Sequence, residues 1–189
     1  MKDKNGKIIL DLCGGTGAWS EPYQAAGGYD VKNITLPQWD ILDESTVEYC
    51  IALKPYGILC APECTVWCKA SFPRWKERKP DEIYYQARLL VKCLRIIYET
   101  KPTFWVVENP VGKMQGFMGE PKLKFDPCDY GDPYTKKTYL WGKFNRPRPN
   151  PVFALDKNYT NSVPGGANQK KIRGITPPGF AKAFFEANL

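Results

Sequence analysis

The chain contains no histidine. That absence removes every serine–histidine and cysteine–histidine catalytic pair, and with them the commonest metal ligand. Cys-x-x-Cys pairs are missing too, so the seven cysteines (13, 50, 60, 64, 68, 93 and 128) do not spell a zinc site. Cys60, Cys64 and Cys68 are spaced by four, wider than the three-cysteine pattern of radical iron–sulfur enzymes, and Cys60 reads as lying inside a strand. No metal is expected. Apolar runs are short: none approaches the roughly 18 residues that a membrane span needs. The first residues, Met1 to Lys7, are polar and run directly into a strand without an apolar signal core. A cytoplasmic location is therefore expected, with no membrane partner. No internal repeat is visible.

What is present points to a globular protein. Hydrophobic residues make up 43% of 189 positions, enough for a single core, and residues 1–189 read as one domain. The odd cysteine count, without a secretory signal, fits reduced thiols. A formal charge of +7 favours a polyanionic partner, nucleic acid first.

The chain alternates apolar runs with helical patterns, which implies an α/β fold with a mostly parallel central sheet and helices on both faces. Lys7–Leu12 reads as the first strand. Cys13-Gly14-Gly15-Thr16-Gly17-Ala18 follows as a glycine turn, then a helix over 19–26. In such a turn the glycines permit positive φ and close approach of a ligand, and the helix N-terminus offers free N–H groups. Tyr29–Ile34 reads as the second strand, and a helix ends near Leu53. Asp40, between Trp39 and Ile41, is suited either to hydrogen-bond a ligand amine or to cap a helix. A buried strand over 58–61 stops at Pro62, which cannot donate to a ladder, and delivers Cys64 at its C-terminal mouth. Ligands of open α/β sheets bind there. Thr103–Val107 is the strongest strand signal and ends at Glu108-Asn109-Pro110. Two neighbouring strands thus end in Cys64 and Glu108.

Between them, Lys69 to Lys79 interleaves basic residues with Phe72 and Trp75, as either a nucleic-acid contact or a solvated loop would. A helix starting at Pro80 carries Ile83, Ala87, Leu90, Leu94 and Ile97 as a core stripe. The segment to Asp126 reads as loops, and residues 129–141 as a turn feeding a strand. Residues 156–173, with Pro164-Gly165-Gly166, are polar enough for disorder. Thr176 and Pro177 read as the cap and first position of a terminal helix.

Taken in order, these motifs resemble the C5-cytosine methyltransferase family, and more closely its short, phage-type members. Asp11-Leu12-Cys13-Gly14-Gly15-Thr16-Gly17 is similar to the family's Asp-Leu-Phe-x-Gly-x-Gly. Pro62-Glu63-Cys64 is similar to Pro-Pro-Cys, and Glu108-Asn109-Pro110 to Glu-Asn-Val. Tyr130-Gly131-Asp132-Pro133-Tyr134 matches Tyr-Gly-x-Pro-Gln, and Thr176-Pro177-Pro178 the late Val-Pro-Pro. The resemblance covers residues 8 to about 187. It implies a Rossmann-like fold that binds S-adenosyl-L-methionine and acts on nucleic acid, DNA before RNA or a free nucleotide; a non-catalytic nucleic-acid-binding relative is the remaining alternative. It implies that Cys64 adds to cytosine C6, that Glu108 holds N3 and the amino group, and that Lys136 keeps a charge near the base carbonyl. The cofactor residues it implies are Asp11, Gly14, Gly15, Thr16, Gly17, Trp19, Asp40, Ile41 and Pro62, with Asp40 on the adenine amine.

The chain departs from the family pattern in four places. Glu63 replaces proline beside the nucleophile. Thr35 stands where the family has an acidic residue for the cofactor ribose. Lys136 alone keeps a charge in Tyr134-Thr135-Lys136-Lys137-Thr138, the counterpart of Gln-x-Arg-x-Arg. About thirty residues, 145–174, take the place of a target recognition domain, too few for a core of their own. Target recognition is then minimal, or supplied by a partner or second subunit.

Overall fold

The computed structural model describes residues 6–157, 159–163 and 169–189; Met1 to Asn5 and the Pro164-Gly165-Gly166 stretch lie outside the described residues. A six-stranded sheet organises them. Its strands are β1 (Lys7–Leu12), β2 (Tyr29–Ile34), β3 (Gly57–Cys60), β4 (Phe104–Pro110), β5 (Leu123–Phe125) and β6 (Thr138–Lys143), in spatial order β2-β1-β3-β4-β6-β5. The first four are mutually parallel; β6 runs antiparallel to β4, and β5 antiparallel to β6.

Helices cover both faces. On one lie α2 (Glu44–Ala52) and α3 (Pro80–Thr100), which enclose Leu10, Leu12, Ile58, Cys60 and Val107. The other face holds α1 (Glu21–Ala26) and, near the C-terminus, α7 (Pro178–Ala187), over Ile9, Leu59, Phe104 and Val106. All four residues of β3 are buried because both faces of that strand are covered. Short helices α4 (Gln115–Met118), α5 (Tyr159–Ser162) and α6 (Gln169–Gly174) lie between, with two 3₁₀ segments, Lys69–Glu77 and Pro127–Tyr130.

Several elements differ from their sequence expectation. The first helix starts at Glu21 rather than 19. Glu108, Asn109 and Pro110 do not terminate β4 but continue it, paired with Leu140, Tyr139 and Thr138. Proline is tolerated there because it stands at the last pair of the ladder. The buried face of α3 centres on Gln86, Leu89, Cys93 and Ile96 along with Leu90 and Ile97, leaving Ile83, Ala87 and Leu94 at its margin. In the polar stretch after 156, α5 and α6 are helical. Pro177 is the cap position of α7 and makes no side-chain cap bond; Asp132 supplies that acceptor from across the chain, its Oδ2 receiving Gly179 N–H at 2.9 Å. A Cβ on Gly179 would sit 2.0 Å from Tyr130 O, so the Tyr130–Pro133 and Thr176–Pro178 motifs meet in close contact.

Candidate active site

The glycine turn after β1 rests on a buried carboxylate. Asp11 is inaccessible to solvent, accepts Ser20 Oγ–H at 2.6 Å through Oδ2, and leaves Oδ1 without a protein partner. Burial, only partly offset by the Ser20 bonds, pushes its pKa up to about 6. Gly14 lies directly over it: a Cβ there would fall 2.3 Å from the carboxyl carbon. Gly15 and Gly17 have φ of +55° and +75°, and Cys13 is itself left-handed at +57°, a conformation that costs a non-glycine residue roughly 1–2 kcal/mol. Above Gly15 an added Cβ would meet nothing within 4 Å, so the turn opens to solvent. Beside it, a cleft of about 300 Å³ runs from Thr16 and Gly17 to Asn33. Asn33 Nδ2–H donates to Gly15 O at 3.1 Å.

The remaining expected cofactor residues divide. Asp40 is half-buried, and its Oδ1 accepts Leu42 N–H at 2.9 Å in a local turn. Ile41 and Trp19 are core residues. Ile41 packs in the α2/α3 layer, and the Trp19 ring lies 5.6 Å from Phe184 and 6.0 Å from Phe180 on the opposite face. Both side chains are buried. Pro62 is buried and contributes its carbonyl, which accepts Asn109 Nδ2–H at 3.0 Å.

That amide bond joins the two strand tips. Past β3, Cys64 opens a tight turn in which Trp67 N–H and Cys68 N–H both donate to Cys64 O at 2.9 Å. The turn is held from three sides. Gln86 Oε1 accepts Val66 N–H at 3.0 Å, Lys113 N–H donates to Trp67 O at 2.7 Å, and Lys69 N–H donates to Val111 O at 2.8 Å. Gly112 is indispensable here, since its Cβ would lie 1.9 Å from Trp67 O. None of Gln86, Asn109 as a tether, or Gly112 is legible as a site residue in the sequence; Asn109 alone had a signal, its place beside Glu108.

Cys64, Glu108 and Lys136 come from the segment past β3, the end of β4 and the irregular segment leading to β6, and act on one another electrostatically. Burial raises the Glu108 pKa, with Lys136 opposing. The Cys64 thiol is pushed well up, first by its hydrogen bond with Cys68, then by burial and the Glu108 charge; Lys136 again opposes. Glu63, which replaces proline beside Cys64, is engaged elsewhere. Its Oε1 accepts Thr65 Oγ1–H at 2.7 Å, and its charge acts on Cys13. Lys136 Nζ also donates to Arg173 O at 2.6 Å, so α6 holds the lysine in place. On the outer side of the Cys64 turn, a cleft of about 430 Å³ opens between Glu63, Thr65 and the first turns of α3.

No family model matches the sequence, and no curated protein is similar enough to be matched. Solved structures are similar. One is a prophage-encoded protein of E. coli described as a DNA modification methyltransferase, at 18% identity and a TM-score of 0.54, covering 86% of this chain and 56% of that one. Another is the Entamoeba histolytica methyltransferase EhMeth, at 12% identity and a TM-score of 0.50, covering 87% and 62%. The fold is Rossmann-like, of the methyltransferase type. This chain spans less than two thirds of either structure. Among the described residues no helix is long and apolar enough to cross a membrane, and no cluster of three or more cysteine and carboxylate side chains is arranged to hold a metal ion.

Proposed function

We propose that this protein is a DNA (cytosine-5-)-methyltransferase that uses S-adenosylmethionine. The observation that carries the reading is the convergence of Cys64, Glu108 and Lys136 at adjacent strand ends, beside the glycine turn. The donor set at that turn fits the cofactor: two left-handed glycines with open space above Gly15, at the carboxyl end of β1 where such folds bind ligands. Gly14, Gly15, Thr16 and Gly17 would hold it, with the free Asp40 oxygen for the adenine amine. When bound, S-adenosylmethionine supplies an electrophilic methyl group on a sulfonium.

The chain's own residues do the rest. Cytosine C5 is a poor nucleophile until C6 is attacked. The Cys64 thiolate adds to C6 and turns C5 into an enamine carbon, which is covalent catalysis. Glu108, whose carboxyl pKa burial raises above its ordinary range, carries a proton to N3 and accepts from the exocyclic amine, so negative charge does not accumulate on the ring. Lys136 offers a cation to the base carbonyl and to the ionised sulfur. Asn109 keeps the two strand tips in register by its bond to Pro62 O.

A base inside a duplex must first be flipped out. We assign that contact to the Lys69–Glu77 segment; the exposure of Phe72 supports it, and Lys113 Nζ, 5.0 Å from the Phe72 ring and 4.4 Å from the Trp75 ring, ties the segment to the loop that grips the Cys64 turn. The test is transfer of a labelled methyl group to DNA, RNA and free cytidine nucleotides in parallel. Label in DNA recovered as 5-methylcytosine supports the proposal. Label only in RNA or nucleotide transfers the same chemistry to another substrate, and label at the exocyclic amine contradicts the mechanism.

A further inference from the structure

The proposed chemistry uses one thiol of the Cys64–Cys68 turn and leaves the other without a task. The two residues close a single turn through the 2.9 Å bond from Cys68 N–H to Cys64 O. Four helical residues rise about 6 Å, which lies within the Cα separation a disulfide can bridge. The Cys68 thiol is also the first influence on the Cys64 thiol, which it pushes up. Cys68 leaves the turn with extended backbone, φ −71° and ψ 151°, so it is not held in a regular helix. Both residues are partly accessible, whereas Cys60 and Cys93, which also exchange a thiol contact, are wholly buried. None of the seven cysteines is disulfide-bonded.

We propose that Cys64 and Cys68 form a dithiol modification site that takes hydrogen peroxide and closes to an intramolecular disulfide. One of the two sulfurs, as thiolate, attacks the peroxide. A sulfur–oxygen bond forms, the oxygen–oxygen bond breaks, and the departing hydroxide takes a proton to become water, leaving a sulfenic acid. The neighbouring thiolate then attacks that sulfur, the sulfur–sulfur bond forms, and a second water leaves. Two thiols are oxidised by two electrons in all, and the peroxide is reduced to two waters. A reducing dithiol reverses the bond. The inference extends beyond the methyltransferase reading and does not need it, although under that reading the disulfide removes the nucleophile.

The full-length protein is exposed to hydrogen peroxide, blocked with iodoacetamide, digested, and measured by mass. The expected result is a peptide carrying both Cys64 and Cys68 that is two hydrogens lighter, unalkylated, and restored to double alkylation by dithiothreitol. C68S and C64S should each lose that species, while C128S, at a partly accessible cysteine elsewhere, should keep it. Thermal melting of each variant reports whether it folds. Alkylation of both sulfurs after peroxide in the wild type, over-oxidation to sulfinic acid without a disulfide, or pairing of Cys64 with another cysteine would each overturn the proposal. Because the readout is peptide mass, a protein without methyl transfer can still pass, and an active methyltransferase can still fail.

Discussion

At the scale of single residues, the site combines two acids that burial keeps from ionising at their ordinary pH. Asp11 supports the glycine turn from below, and its pKa moves from 3.8 to about 6. The folded state therefore holds this proton more tightly than the unfolded chain. Its stabilising contribution is complete below pH 3.8 and is lost as pH rises to about 6, a difference of about 3 kcal/mol. Denaturation followed from pH 4 to 7 should show stability falling through that window, and Asp11→Asn, which keeps the Ser20 acceptor, should flatten the fall. Glu108 is raised in the same direction by burial. Because the reading assigns it a proton donated to the base, Glu108→Gln should lower kcat by roughly 10²–10⁴-fold without lowering the melting temperature. A variant that melts early would instead make Glu108 a structural residue.

Sequence reading reached these residues unevenly. Cys64 and Glu108 were legible because each follows an apolar run closed by proline, a local signal. The packing of Trp19 was not legible: nothing local to the glycine turn announces that its ring lies against Phe180 and Phe184 of α7. Cys68 reads in the sequence only as part of a cysteine spacing, since its closure onto Cys64 through a backbone bond depends on how the turn folds.

At the scale of elements, the Cys64 turn owes its position to a neighbouring loop more than to its own strand. Gly112 and Lys113 bind its backbone, and Lys113 continues to the rings of Phe72 and Trp75. Gly112→Ala would drive a methyl group into Trp67 O; overpacking of this kind costs about 1–3 kcal/mol. The expected outcome is a lower melting temperature together with loss of methyl transfer. Gly116→Ala is the control, because its Cβ would meet nothing within 4 Å. Equal behaviour of the two variants would show that the loop contact does not position the turn. The strands were readable from continuous apolar sequence, and β1 and β2 match their expected limits. The length of β4 was not readable, because its last three residues are kept in the sheet by β6, a partner thirty residues away in sequence that no local pattern announces. Lys136 shows the same limit from the other side: its tie to α6 crosses 37 residues into a stretch whose polarity alone suggests disorder.

At the scale of the whole molecule, a single sheet sets the groups that the proposal assigns to catalysis at neighbouring strand ends: the glycine turn after β1, Cys64 after β3, Glu108 in β4 and Lys136 before β6. The net charge of +7 then provides a sequence-independent attraction for a polyanion. Binding of the protein to duplex DNA should weaken linearly in log–log form as salt rises. Replacing both Arg74 and Lys76, which are exposed on the Lys69–Glu77 segment, should reduce that slope by up to about 2, close to one for each phosphate contact removed. An unchanged slope would place the DNA on another face.

The most direct measurement is covalent trapping. Duplex DNA carrying 5-fluorocytosine, incubated with the protein and S-adenosylmethionine, cannot lose its C5 substituent as a proton, so a sulfur bonded to C6 stays bonded. The account predicts an adduct with the mass of protein plus DNA plus one methyl group, mapped to Cys64 and absent from Cys64→Ala. An adduct on another residue, or cofactor and DNA binding with no adduct at all, would contradict it.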